Sequence, residues 1–221
     1  WAERASHTTW NPRHIGERYG LFTLIVLGES VLSSTTAIQT SIDAGHDSFR
    51  LISLAVGGLI TVFALWWLYF EAPSARWLSS ATGAFSWGYG HLVIFASAAA
   101  IGAGIAAAVD HEIGAASIST TTAGLATALP IAIFLACLAA LHFAGRQPGL
   151  IVFAKPVVAA LVLLTAFTGY SLQLSALLLG LLVAAHLVAG RAADTPEGEL
   201  STPLIDTEDF ALGSLGPSSA E

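Results

Sequence analysis

Six apolar blocks dominate this chain, at residues 17–39, 49–70, 84–109, 123–144, 150–168 and 172–190. Each is close to the roughly 20 residues that a helix needs to cross the hydrocarbon core of a bilayer. No water is available there to the backbone N–H and C=O groups, so every such block must bond within itself as a helix. Charged residues make up only 10% of the sequence, against about 25% in soluble domains. So few charges do not clothe a water-soluble globule. An ordinary cytosolic enzyme, a nucleic-acid binder and a disordered protein are thereby excluded. The expected fold is an all-α polytopic transmembrane helix bundle of six spans, with the lipid bilayer as its main partner.

The connections between blocks are short, which makes neighbouring helices antiparallel and the bundle up-and-down. Pro130 is expected to kink the fourth helix, and Pro156 lies near the start of the fifth. The expected organisation is a polar cytoplasmic lead-in at 1–16, the bundle at 17–190 and a disordered acidic tail at 191–221. That tail accounts for six of the seven net negative charges, so the body is nearly neutral and offers no basic surface to nucleic acid. If the chain begins on the cytoplasmic side, all of its eight basic residues except Arg50 lie on or near that side, as the positive-inside rule requires. The six tryptophans fall near the same side, as an interfacial belt would. Cys137, alone in an apolar run, reads as an inert buried thiol. The chain has no methionine, and it is read as the C-terminal part of a longer protein with further helices before Trp1.

The most informative stretch runs from His14 to Ser30. On a helix of about 100° per residue, His14, Glu17, Arg18 and Glu29 share one stripe. Glu29 lies about 16 Å along the axis from Arg18, too far for a direct pair. It is thus a carboxyl near mid-membrane without a partner on its own helix. Facing lipid while charged, it costs at least a few kcal/mol, so it is expected to face the bundle interior. There it binds a proton, an ion or a polar substrate, or else clasps two helices together. Glu17 and Arg18 sit at the interface, where they either serve that site or hold the helix end. His91, in Gly88-Tyr89-Gly90-His91, is the expected hydrogen-bond partner of Glu29, directly or through a water. The alanines and glycines after it form a small-residue packing face. His142 and His186 read as interfacial anchors. Asp43, His46 and Asp47, with Asp110, His111 and Glu112, match no metal-ligand spacing and read as solvated loops. No phosphate loop, nucleophile elbow or zinc-protease motif is present, and no cofactor is expected.

These motifs bring a family into view. His14, Glu17-Arg18 and the run Gly20-Leu21-Phe22-Thr23-Leu24-Ile25-Val26-Leu27-Gly28-Glu29-Ser30 resemble the signature of the bacterial low temperature requirement A family. Trp66-Trp67-Leu68-Tyr69-Phe70 and Gly88-Tyr89-Gly90-His91 are similar to its later motifs. The resemblance covers residues 10–110, and the last three helices match only as generic spans. It implies a multi-pass bacterial inner-membrane protein linked to growth at low temperature, with no settled biochemical activity to carry over. Three functions remain open at this level. One is a proton- or ion-coupled transporter using Glu29. Another is a non-catalytic membrane factor that supports or senses the envelope in the cold, with Glu29 as a structural clasp. The third, an intramembrane enzyme, lacks a nucleophile or metal set, and a non-enzymatic role is expected. A homo-oligomer is compatible with each.

Overall fold

A computed structural model of the 221-residue chain describes residues 11–45, 48–71, 81–144 and 150–193. Six helices make up those residues: α1 (Pro12–Asp43), α2 (Ser48–Phe70), α3 (Ala81–Glu112), α4 (Thr120–Ala144), α5 (Leu150–Thr165) and α6 (Ser171–Ala193). The packing divides into two compact units, Trp1–His186 and Leu187–Glu221. Only residues 187–193, the last turns of α6, are described in the second.

All six expected helices form, and most extend by a turn or less beyond the apolar blocks. α1 starts earliest relative to its block. The Asn11 side chain accepts a hydrogen bond from the Arg13 amide at 3.0 Å and Pro12 opens the first turn, an arrangement that satisfies an orphan donor where proline loses nothing. The expected polar lead-in is therefore helical from Pro12 onward, and the expected tail is helical through Ala193. The remainder of both, with Arg4, Arg76, Arg146, Trp1, Trp10, Trp77, His46 and Asp47, lies outside the described residues.

Five of the helices are long and apolar enough to cross a membrane, and α5 is not. Its 16 residues reach about 24 Å, short of the roughly 30 Å hydrocarbon core. Among the described residues the six expected spans appear as six helices, five of them long and one, α5, short. Residues 166–170 form turns instead of continuing the helix to 168.

The helices are held together by close backbone approaches and by hydroxyls, as expected where lipid removes the hydrophobic drive between them. Ser30 Oγ donates to Ala98 O at 2.8 Å, joining α1 to α3. α3 meets α4 where Gly104 lies against the Ala126 carbonyl, so closely that a Cβ at Gly104 would strike it. Pro130 explains the site. It has no N–H to give to the carbonyl four residues back, and that carbonyl is Ala126 O. Gly124 lies equally close to Ala166 at the end of α5. Beside it a buried row of hydroxyls links three helices. Ser171 Oγ donates to Gly124 O at 3.2 Å and lies 3.3 Å from Thr127 Oγ1 and 3.1 Å from Thr165 Oγ1. Thr165 Oγ1 in turn lies 3.1 Å from Ser175 Oγ. The outer edge of this end is closed by an ion pair, Arg50 Nε to Glu112 Oε1 at 2.7 Å, with the Arg50 guanidinium over the Tyr170 ring. Antiparallel succession brings the start of α1, the end of α2, the start of α3, the end of α4, the start of α5 and His186 of α6 to the opposite end.

Candidate functional site

The five residues expected to form one intramembrane site are split into three places. His14 and Glu17 do meet. Glu17 accepts from Arg13 Nε at 3.0 Å, and its other oxygen lies 3.3 Å from His14 Nδ1. All three side chains are exposed in the first turns of α1. Arg18 is exposed beside them. Such an exposed pair is screened by solvent and serves to hold the helix end.

Glu29 is exposed, not turned into the bundle. It shares its stripe with Arg18, Phe22, Ile25, Ser33 and Thr36, all exposed as well. The reason is geometric: Leu27 and Ser30 take the face toward α2 and α3, with 2% exposure each. At about 100° per residue that leaves Glu29 pointing away.

His91, by contrast, is deeply buried at 2% exposure, but its partners are not Glu29. Nδ1 lies 2.7 Å from the Trp87 carbonyl, which only accepts, so Nδ1 carries the proton. Nε2 is then a lone pair and accepts from the Tyr69 hydroxyl at 3.0 Å. Both ring nitrogens are satisfied. The rings of Tyr19, Trp87 and Phe95 pack around the imidazole. The expected Glu29–His91 pair is replaced by an aromatic-walled hydrogen bond between α2 and α3. Trp87 is consumed by this packing and is buried, not part of an interfacial belt.

A second constellation forms at the same end from His142 and His186, expected as interfacial anchors, Lys155, expected as a basic flank, and Glu71, which the sequence did not single out. Lys155 of α5 is 2% exposed. Its Nζ lies 3.2 Å from His186 Nε2 and 3.5 Å from Glu71 Oε2. His186 Nε2 is itself 3.5 Å from that carboxylate oxygen. His186 Nδ1 lies 2.8 Å from Leu182 O and must donate to it, so Nε2 accepts from the Lys155 ammonium. Glu71 follows the last residue of α2, and its amide bonds back to Trp67 O, which continues the turn. The Trp67 ring stands edge-on to His186 with centroids 6.0 Å apart. His142, in the last turn of α4, is also buried, near enough to feel the charges of Lys155 and His186. Its Nε2 has no hydrogen-bond partner among the described residues.

Burying an ammonium is costly unless it is paired and hydrogen-bonded. Here the pairing comes from Glu71 after α2 and His186 on α6, both of which meet Lys155 of α5. The ends of α2 and α4 add the negative poles of two helices. The arrangement can hold a charge, exchange hydrogen bonds among three polar atoms and bind or release a proton. One signal in the sequence pointed to it: Lys155 is the only lysine, and it stands inside an apolar block instead of a loop.

A bundle of long apolar helices with ion-paired and hydrogen-bonded groups buried between them defines a polytopic helical membrane protein. The sequence matches the family model described as bacterial low temperature requirement A protein (LtrA) over residues 1–192, and the chain belongs to that family. The match extends through all six helices, beyond the first three that carry the recognisable motifs. No curated protein and no solved structure matches the chain.

Proposed function

We propose that this member of the low temperature requirement A family is a proton- or ion-coupled transporter of the bacterial inner membrane. The observation that supports this reading most is the cluster of Lys155, His186 and Glu71, buried among apolar helices. Ionisable groups inside a membrane are expensive and are functional by default. Transporters place such groups where helices are short or interrupted, and Lys155 lies on α5, the short apolar helix among the described ones. The coupling site is thus moved from Glu29 to Lys155 and its partners. The role is non-enzymatic. Cys137 Sγ bonds to Gly90 O at 3.3 Å, and the Ser30 and Ser171 hydroxyls donate to the Ala98 and Gly124 carbonyls. The end bearing Arg13, Arg18 and Lys155 faces the cytoplasm, following the excess of basic residues there.

The test is flux in proteoliposomes. An imposed pH or sodium gradient should drive flux in the wild type and lose at least tenfold in Lys155→Met, whereas Glu29→Gln should keep most of it. Equal flux in the wild type and Lys155→Met would remove the cluster from the mechanism.

One observation favours a second reading, a non-catalytic membrane factor supporting or sensing the envelope in the cold. The exposed stripe of Arg18, Glu29, Ser33 and Thr36 on α1 suits contact with another polypeptide better than contact with lipid. Under that reading no gradient drives flux, and Glu29→Gln weakens an assembly.

A further inference from the structure

Glu71 Oε2, Lys155 Nζ and His186 Nε2 form a nearly equilateral triangle, with edges of 3.2, 3.5 and 3.5 Å. Two hydrogen-bonded arrangements fit it, and they exclude each other. With His186 Nδ1 committed to the Leu182 carbonyl, a proton can add to this imidazole only at Nε2. While Nε2 is a lone pair, Lys155 donates to it. Once Nε2 carries hydrogen, that bond is lost and Nε2 donates instead to Glu71 Oε2, which Lys155 also keeps as its acceptor. The exchange needs only small side-chain rotations, because all three atoms are already in place.

Among the described residues, the triangle meets water through Glu71. The side chains of Lys155 and His186 are 2% and 1% exposed, whereas that of Glu71 is 30% exposed. The Nε2 of buried His142 has no hydrogen-bond partner among the described residues. Among the described residues, the titratable groups facing His186 are Glu71 following α2, His142 from α4 and Lys155 from α5.

We propose that Glu71, Lys155 and His186 form a proton-binding site, with the Glu71 carboxylate as its port to water and His186 Nε2 as its seat. The inference rests on the transport reading and names its coupled ion as a proton. A hydronium gives its proton to Glu71 Oε2, leaving water. The O–H bond then breaks as an N–H bond forms at His186 Nε2, and the carboxylate returns as an anion. The site gains one proton and one positive charge, and no other bond changes. The added charge lies beside the Lys155 ammonium, and the Glu71 carboxylate offsets it.

Trp67 supplies the reporter, because an imidazolium quenches a neighbouring indole. Fluorescence of the full chain in nanodiscs is followed against pH for the wild type, Trp67→Phe, His186→Gln, His91→Gln and Glu71→Gln. A one-proton step is expected in the wild type. It should vanish in Trp67→Phe and His186→Gln and persist in His91→Gln, although the Trp87 ring lies closer to His91, at 3.9 Å. In Glu71→Gln it should move to lower pH by at least about one unit, because an opposite charge near the imidazole is gone. A step that survives His186→Gln, that disappears in His91→Gln, or that stays in place or rises in Glu71→Gln overturns the proposal. The Glu71→Gln arm decides the matter even where His186→Gln fails to fold by circular dichroism. A wild-type step without gradient-driven flux retains the proton site and removes the transport reading. Flux without the step does the reverse.

Discussion

Lys155 and Glu71 are partners with unequal alternatives. Glu71 follows the end of α2 with water at its side, so it can rehydrate when Lys155 is removed. Lys155 is enclosed and has no such exit. Glu71→Gln should therefore cost about 3 kcal/mol, the cost of leaving a buried charge without its counter-charge. Lys155→Met should cost about 1 kcal/mol or less, since an unbranched apolar chain fills much the same space. Thermal unfolding in detergent measures both, and equal losses would contradict the asymmetry. The same contrast explains which residues could be read from the sequence. Glu29 and His91 draw notice because each is a polar residue in an apolar block. Whether two such residues meet depends on which faces their helices turn to one another. Serine and leucine took the inward face of α1, and tyrosine reached His91 first.

Helix-to-helix contact here depends on positions where a single methyl group decides. Gly104 and Gly124 each lie against a backbone carbonyl, Ala126 O and Ala166 O. Backbone cannot step aside as a side chain does. Gly104→Ala and Gly124→Ala should each destabilise by about 1–3 kcal/mol. Gly28, with nothing within 4 Å of an added Cβ, is the control: Gly28→Ala should be neutral or stabilise by up to about 1 kcal/mol through helix propensity. Unfolding in detergent of the three variants orders them, and an equal effect at Gly28 would show that propensity, not approach, governs. The small-residue character of α3 was legible as a packing face. The partner of each glycine was not, because the freed carbonyl behind Pro130 belongs to another helix. The shortness of α5 was also hidden, since apolar residues continue through 166–167 after the helix has ended.

At the scale of the molecule, the antiparallel succession sorts the described ion pairs to two ends. One holds Arg50 and Glu112, the other Arg13, Glu17, Glu71, Lys155 and His186. With the second end cytoplasmic, a membrane-impermeant thiol reagent should label Ala44→Cys and Ala115→Cys in intact cells, in a Cys137→Ser background. Glu17→Cys should react only after the membrane is opened. The reverse pattern would invert the orientation. Length and hydropathy of the apolar blocks by themselves determined the helical class, the number and order of helices and the antiparallel alternation, because in hydrocarbon a segment must satisfy its own backbone and a short loop permits only reversal. Tertiary structure alone decided which polar side chains are neighbours. Glu71, Lys155 and His186 are scattered along the sequence, and a helix says nothing about its rotation until another helix packs against it.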